Sequence, residues 1–240
     1  MTIENKEAII LSNKTKTKTK AKARISDDMP RLFVYVKHDR EDTMAGKNYI
    51  ITIQRQFGSL GRPIAKKLAE LLEIEYYDRD IVEEASKVHN IPLKEASNLE
   101  ESAKYLFMSF PLGSGTTATQ DALFKTESEM IKKLAVKESC IIVGRCADAI
   151  LEDCDHLVRI FIYAPYEDRI VNCVNDLGMD TKAAKRMIRD VDKARDAYHM
   201  RYAGYLPNDM NHMDLMVNSA TLGVDMTARL LAEVVRDKFS

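Results

Sequence analysis

The sequence predicts an α/β protein built on a parallel sheet of five strands with helices on both faces. Strand-like apolar runs alternate with amphipathic helical segments from about residue 48 to the C-terminus, which is typical of this class. Two of the runs, Cys140–Gly144 and Leu157–Ala164, are almost continuously apolar, as strands buried on both faces of a parallel sheet are. With 45% hydrophobic and 30% charged residues, the chain can also bury a sizeable core.

Composition excludes several classes of partner. The net charge of -1 gives the chain as a whole no attraction to nucleic acid or to an anionic membrane. No stretch approaches the roughly 20 apolar residues of a membrane span, and no secretory signal begins the sequence. We therefore expect a cytoplasmic protein with no membrane partner and no specific nucleic-acid partner, while the sequence assigns no oligomeric state. The cysteines form no CxxC pair and are expected to be packing residues.

Residues 1–47 differ in character from the rest of the chain. The run KTKTKTKAKAR at Lys14–Arg24 is basic and of low complexity, so we expect residues 1–47 to form a disordered tail. A weak contact of this tail with a phosphate backbone or a membrane surface is the alternative. The remainder, residues 48–240, is expected to fold as the main domain.

The first βα unit of the domain is Ile50–Leu72. A β-rich run at Ile50–Ile53 leads into a loop at Gln54–Gly61, and Pro63 stands where the first turn of a helix tolerates proline. The helix then places one apolar side chain per turn on one face: Ile64, Leu68 and Leu72. The free N–H groups and the dipole of such a helix favour a phosphate at its N-terminus. An ordinary βα turn, in which glycines only permit tight geometry, is the alternative.

The remaining elements follow from the same patterns. Strands are expected at Glu73–Asp78, Cys140–Gly144, Leu157–Ala164 and Asp214–Asn218. Helices are expected at Arg79–His89, Leu93–Phe107, Asp121–Lys137, Tyr166–Leu177, Thr181–Tyr202 and Val224–Phe239. The small polar segment Pro111–Gln120 contains GSG and is interpreted as a flexible loop rather than a second nucleotide site.

Several of these elements end at one edge of the sheet. Ligands of open parallel sheets bind beyond the carboxyl ends of the strands. Asp78, Arg145 and the loop Gly58–Gly61 all follow strands and are expected to converge there. This convergence favours a binding site over a set of unrelated turns.

The sequence from Ile50 to Phe239 resembles the cytidylate kinase-like branch of the P-loop nucleoside monophosphate kinases. The resemblance rests on four pieces in order: ITIQRQFGSLGRPIAKKLA, YYDRDIVEEA, CIIVGRCADAIL followed by VRIFIYAPYEDRI, and KRMIRDVDKARDAYH with MDLMVNSATLG. It implies transfer of the terminal phosphoryl group of ATP, with Mg²⁺, to a nucleoside monophosphate, and cytidine monophosphate is the expected acceptor. It also implies a helical acceptor-binding insert, placed at residues 90–120, and a lid, placed at residues 178–205.

The resemblance assigns roles to particular residues. The ATP phosphates would be bound by Gly58, Ser59, Leu60, Gly61 and Arg62, and the acceptor by Asp78 and Arg145. Arg62, Arg189 and Arg195 would be the catalytic cations, because a guanidinium meets phosphate oxygens bidentately.

The lid helix can be interpreted in two ways. Arg189 and Arg195 are six residues apart, which places them roughly 120° apart around a helix, whereas Arg186 and Arg189 share a face. With the resemblance we expect an arginine-bearing lid, in which Asp190 and Asp192 orient the guanidinium groups. A solvated helix with many ion pairs is the alternative.

The phosphate loop departs from the Walker A pattern G-x-x-x-x-G-K-[ST]. With Gly61 as the second glycine, Gln56 replaces the first, Arg62 replaces the lysine, and Pro63 supplies neither hydroxyl nor N–H. A register with Ser59 nearer the phosphates is also open, and the Mg²⁺ ligands are left unassigned. Because of these departures, two alternative functions stay open: a catalytically weakened nucleotide-binding regulatory protein, and a kinase for another small metabolite.

Overall fold

The computed structural model describes residues 48–78 and 117–240, with only the backbone described at Thr117 and Thr119. These residues belong to one compact unit, Met44–Ser240. Several expectations fall outside the described residues: the tail at 1–47, the helices at Arg79–His89 and Leu93–Phe107, the loop at 111–116 and most of the insert at 90–120.

Five parallel strands form one sheet in the described chain. They are β1 (Ile50–Arg55), β2 (Glu75–Tyr77), β3 (Cys140–Val143), β4 (Leu157–Tyr163) and β5 (Leu215–Asn218). Their order across the sheet is β2-β3-β1-β4-β5, and every neighbouring pair is parallel. The carboxyl ends of β1, β2 and β3 therefore lie side by side at one edge of the sheet.

Six helices accompany these strands in the described chain. They are α1 (Gly61–Leu72), α2 (Thr117–Lys137), α3 (Ala147–Ile150), α4 (Tyr166–Leu177), α5 (Thr181–Ala203) and α6 (Ser219–Phe239). None of them combines the length and the apolar composition that crossing a membrane requires. The segment expected to form the lid is α5, preceded by a turn at Gly178.

The sheet is covered on both faces because alternate residues of β1 point in opposite directions. Ile51 and Ile53 belong to a buried cluster with α1 and α6, in which Leu68 and Leu231 pack. Ile50 belongs to a second cluster on the other face: Ile131, Cys140, Ile142, Ala147, Leu151 and Leu157. The prediction of a five-stranded parallel sheet with helices on both faces is confirmed.

The elements differ from the sequence-based expectation at several points, including the start of α2 at Thr117 rather than Asp121. β1 continues through Gln54 and Arg55, because these residues pair with Phe161 and Ile162 of β4, so the loop is only residues 56–60. The short helix α3 was not expected. α6 begins at Ser219 rather than Val224, and it is broken at Gly223, where φ is 69°.

Candidate active site

The loop after β1 is held by hydrogen bonds within itself and to β4 and α6. The Gln56 N–H donates to the Ile162 carbonyl at 3.0 Å. The fully buried Ser59 hydroxyl lies 2.9 Å from the carbonyl oxygen of Gln56 and 3.1 Å from that of Ile162. Ser219 donates to the Ser59 carbonyl at 2.7 Å. Ser59 therefore fixes the loop to β4 and α6 in this arrangement.

The N-terminus of α1 presents free donors at the end of this loop. Leu60 is in the left-handed region with φ 58°, and it has no side-chain cap hydrogen bond. Within the part of the chain that the structure describes, the N–H groups of Leu60, Gly61 and Arg62 make no hydrogen bond. The first N–H groups of a helix carry a partial positive charge, so this point favours an anion.

α4 and α5 clamp the start of the loop. The Phe57 N–H donates to Asp192 Oδ1 at 2.7 Å, and Arg169 Nη1 donates to the Phe57 carbonyl at 3.3 Å and to Asp192 Oδ2. Asn172 donates to the Gly58 carbonyl at 2.8 Å. A Cβ at Gly58 would lie 2.8 Å from the Arg169 carbonyl oxygen, so α4 approaches the loop closely. Asp192 thus bonds Arg169 of α4, and its Oδ1 also lies 3.9 Å from Nη1 of Arg195 on its own helix.

Arg62 points toward the strand-end carboxylate rather than into open space. Its Nε donates to Asp78 Oδ2, which also accepts from the Tyr76 hydroxyl at 3.2 Å. Arg55 Nη2 lies 3.7 Å from Asp78 Oδ1. Burial alone would raise the pKa of Asp78, but the charges of Arg55 and Arg62 outweigh burial and hold its pKa below the ordinary value. Asp78 is therefore ionised and couples two guanidinium groups.

Arg55 lies between two glycines that leave room for it. A Cβ at Gly61 would be 2.7 Å from the Arg55 Cβ, and a Cβ at Gly144 would be 2.6 Å from Arg55 Nη1. Burial lowers the pKa of Arg55 to about 10, and the charge of Asp78 opposes this effect. Arg55 is therefore still a cation at neutral pH.

Arg145 occupies the expected position after β3. It has a positive φ of 61°, and its Nη1 lies 3.4 Å from Oε1 of the fully buried Glu127 on α2. Tyr198 of α5 donates to Glu127 Oε2 at 3.0 Å. Burial would lower the pKa of Arg145, yet the interactions with Glu127, Tyr198 and Asp78 together outweigh burial and raise the pKa. Arg145 and Asp78 both lie at the carboxyl edge of the sheet, as predicted.

The two lid arginines of α5 lie in different surroundings. Arg195 is buried and its Nη1 donates to the Arg55 carbonyl at 2.9 Å. Arg189 is exposed, and its Nε donates to the neighbouring Asp190 at 2.9 Å. Arg189 lines an open cavity of about 630 Å³ at the start of α5, together with Lys182, Lys185 and Arg186. The structure brings Arg195 together with the loop and the strand ends, but not Arg189.

A second buried polar group lies on the same helix. His199 Nε2 is 3.0 Å from Oδ2 of the fully buried Asp148 on α3. Gln54 and the Tyr205 hydroxyl also donate to Asp148, at 2.6 and 2.9 Å. Burial would raise the pKa of Asp148, but its hydrogen bond with His199 and the charge of His199 lower it. This group fastens α5 to β1 and α3.

The described site contains more cations than anions. Five guanidinium groups face three carboxylates, which leaves two positive charges in excess. The cations are Arg55, Arg62, Arg145, Arg169 and Arg195, and the carboxylates are Asp78, Glu127 and Asp192. A partly buried excess of arginine, next to the N-terminus of a helix, matches the charge and geometry of phosphate.

Sequence reasoning missed Arg55, Arg169, Glu127 and the pair Asp148–His199. One signal could have found part of this set. On α5, Arg195 and His199 share a face with the buried Ile188 and Val191, and charged or titratable residues in an apolar stripe indicate buried polar contacts. Arg55 carried no such signal, because its partners lie on other elements.

The described residues do not fit a magnesium site made by protein ligands. They contain no group of three His, Cys, Asp or Glu side chains that could hold a metal ion. Asp78 pairs with arginines, and Asp148 accepts hydrogen bonds from three donors. The Ser59 hydroxyl donates to backbone carbonyls. Mg²⁺ accompanying a nucleotide would here depend on phosphate oxygens and water, as Mg²⁺ commonly does.

Comparison with known proteins places this site in context. No curated protein matches the sequence. A crystal structure of an uncharacterized protein from Eubacterium ventriosum is 26% identical, with a TM-score of 0.62, and the match covers 79% of this chain and 99% of that one. Shikimate kinase from Acinetobacter baumannii, in complex with shikimate, is 12% identical over 80% of this chain and 94% of its own, with a TM-score of 0.47. Shikimate kinase from Aquifex aeolicus is 16% identical over 79% and 98%, with a TM-score of 0.42.

A family model decides the assignment. The model of the cytidylate kinase-like family matches residues 50–221, from the first residue of β1 into α6. The matched range includes every site residue described above, and it agrees with the resemblance seen in the sequence. This chain belongs to the cytidylate kinase-like family.

Proposed function

We propose that this protein transfers the terminal phosphoryl group of ATP to a nucleoside monophosphate, with cytidine monophosphate as the preferred acceptor. Membership of a kinase-like family supports a small-molecule kinase. The observation that supports phosphoryl transfer most directly is the excess of buried guanidinium groups beside the free N–H groups of α1. Such transfer needs little covalent chemistry from the protein, because it depends on positioning and charge stabilisation.

The ATP phosphates bind at the N-terminus of α1 in this proposal. The N–H groups of Leu60, Gly61 and Arg62 donate to phosphate oxygens, since no described residue uses them. Gly58 and Ser59 keep the loop in shape through their contacts with α4 and β4.

The acceptor binds on the β2–β3 side of the same edge. Arg145 supplies a fixed cation, because Glu127 and Tyr198 hold it in place. Asp78 orients Arg62 and Arg55 toward the space between the donor and the acceptor. Arg195 and its helix cover the strand ends, which limits the access of water to the transferred group. We assign Arg189 to substrate capture at the open cavity, since it is exposed there and does not reach the buried site.

ATP carries Mg²⁺ as its cofactor in this proposal, and we place the enzyme in the cytoplasm. The four cysteines are all unpaired thiols, as a reducing compartment would keep them.

A coupled assay for ADP release, run with each nucleoside monophosphate in turn, tests the function. Arg145→Ala should raise the Michaelis constant for the acceptor more than that for ATP, because Arg145 lies on the acceptor side. Arg62→Ala should weaken ATP use, with turnover lower by up to the order of 10³-fold if Arg62 stabilises transition-state charge. Arg229→Ala is a suitable control, because Arg229 is exposed on α6 and makes no ion pair with any described residue. Equal effects of Arg145→Ala on both substrates would remove Arg145 from the acceptor site.

A nucleotide-binding regulatory protein is the second candidate, and one contact favours it. The Asp192 carboxylate already accepts from the Phe57 N–H, so an anionic group of the protein occupies one donor of the loop. Pro63 also removes the hydroxyl that a Walker A loop offers. Tight ATP binding by calorimetry, with no turnover for any acceptor, would support this candidate. Turnover with a phosphorylated or hydroxylated metabolite, but with no nucleoside monophosphate, would support a kinase of different specificity.

A further inference from the structure

Arg55 is the most deeply placed cation of the site, and its hydrogen-bonding capacity is not filled. Its exposed fraction is 7%, and its Nε has no hydrogen-bond partner among the described residues. A buried guanidinium N–H without an acceptor destabilises the folded protein, because it has lost its hydrogen bond to water and gained none within the protein. In native proteins an ordered water, an ion or a ligand commonly supplies the missing acceptor.

Two neighbouring arginines share this property. Arg169 and Arg195 are 8% and 9% exposed, and the Nε atoms of both have no partner among the residues that the structure describes. Arg195 also donates to the carbonyl of Arg55, so the Arg195 guanidinium lies against the backbone from which the Arg55 side chain starts. Of the described carboxylates, only Asp78 and Asp192 lie within ion-pair distance of Arg55 and Arg195. The three unfilled Nε–H groups and the excess charge indicate a ligand with several anionic oxygens.

The position of Arg55 indicates which part of the ligand it meets. Its Cβ and Cγ lie against Gly61, where the free N–H groups of α1 begin, and its Nη1 lies against Gly144, next to Arg145. The side chain therefore extends from the proposed donor side to the proposed acceptor side. Arg62, the cation nearest to the loop in sequence, is instead bonded to Asp78.

We propose that Arg55 is a catalytic residue of this site and binds the phosphoryl group that is being transferred. This inference rests on the proposed function for the identity of the reaction, and on the contacts of Arg55 for its role. In the transfer, the bond between the γ-phosphorus of ATP and its bridging oxygen breaks, and ADP leaves with the electron pair. A bond forms between that phosphorus and a phosphate oxygen of the acceptor, which is already ionised, so no proton has to move. Arg55 meets the equatorial oxygens, on which negative charge is spread during this step.

Binding of inorganic phosphate tests the assignment without requiring turnover. Thermal unfolding of the full chain is followed with sodium phosphate and with sodium chloride of equal ionic strength. The variants are Arg55→Met, which removes the charge at similar volume, and Arg55→Lys, which keeps the charge but loses the Nε donor and the fork geometry. The same substitutions at Arg229 are the controls.

We expect phosphate to raise the melting temperature of the natural protein and of both Arg229 variants above the chloride value. Arg55→Met should abolish this rise. Arg55→Lys should weaken phosphate binding by about tenfold, because it loses one charge-assisted hydrogen bond. If Arg55→Met does not fold, Arg55→Lys alone tests the proposal. In the ADP-release assay, Arg55→Met should lower turnover on the order of 10³-fold.

Two results would overturn the proposal. One is the absence of a phosphate-specific rise in the natural protein, and the other is a rise that is undiminished in Arg55→Met and Arg55→Lys. A purely structural Arg55 would give the second result, with a lower melting temperature in chloride and an intact response to phosphate. Failure of the proposed function looks different. A phosphate response that depends on Arg55, without turnover for any acceptor, would reject the kinase and support Arg55 as a phosphate-binding residue.

Discussion

Gly144→Ala is expected to disturb the site through Arg55, although Gly144 itself has no functional group. A Cβ at this position would lie 2.6 Å from Arg55 Nη1, which is closer than real contacts allow. Arg55 cannot retreat along its own chain, because its Cβ and Cγ already lie against Gly61. The guanidinium must therefore rotate away from Gly144.

The expected loss of stability has two parts. Gly144 has φ +77°, and alanine in this left-handed region costs about 1–2 kcal/mol. Displacing a packed side chain adds about 1–3 kcal/mol. The free energy of unfolding should fall by about 2–5 kcal/mol in total, and each kcal/mol lowers the melting temperature by about 2–4 °C in a domain of this size.

Gly204→Ala is a matched control. Gly204 has φ +82°, so alanine meets the same backbone cost there, but nothing lies within 4 Å of its added Cβ. We expect Gly204→Ala to lose only about 1–2 kcal/mol and to keep its ADP release and its phosphate response. Thermal unfolding and the coupled assay, applied to both variants, separate the effect of backbone strain from the effect of the contact between the added Cβ and Arg55. Equal losses of stability together with equal activities would show that Gly144 does not position Arg55.

The remaining predictions concern the phosphate loop and the buried histidine. Leu60 has φ 58°, so Leu60→Gly should be more stable than Leu60→Ala by about 1 kcal/mol, because both variants lose the side chain but only glycine relieves the backbone strain. Chemical denaturation measures this difference in the free energy of unfolding, and the opposite order would contradict the prediction. Burial alone would lower the pKa of His199, yet its hydrogen bond and ion pair with Asp148 outweigh burial and raise it. A raised folded pKa contributes stability that is complete below the unfolded pKa of about 6.5 and is lost as the pH rises through the folded value. The stability advantage of the natural protein over His199→Gln, measured by thermal unfolding, should therefore shrink as the pH rises from about 6.5 through the raised pKa of His199. An advantage that is constant or grows with pH would refute the ion pair.

Much of the fold could be predicted from local patterns. The apolar runs identified β3 and β4 nearly to the residue, and the 3.6-residue period gave α4 with the observed bounds, Tyr166–Leu177. The lateral order of the strands is set by packing between distant segments, so local periodicity does not contain it. α3 was missed because a single helical turn has no period to detect.

The site was less accessible from the sequence. The positions of Asp78 and Arg145 at the carboxyl edge of the sheet could be predicted, because strand ends are marked by a change from apolar to charged residues. Arg55 was assigned to a loop, since its place in β1 depends on pairing with β4, more than a hundred residues away. The partner of Arg62 could not be predicted from the sequence either, because Asp78 lies on another element and contacts Arg62 only in the folded chain.

The buried face of α5 has a thermodynamic consequence. Asp192 contacts the loop after β1, and Arg195 contacts the end of β1 itself. Tyr198 contacts Glu127, the partner of Arg145, and His199 contacts α3, the helix after β3. A ligand that changes the docking of α5 at one of these contacts changes the free energy of binding at the others. Linkage makes this effect reciprocal: the factor by which one ligand alters the affinity for a second ligand is the factor by which the second alters the affinity for the first. If two ligands bind in order or synergistically under the proposed function, this coupling would then originate in a single helix.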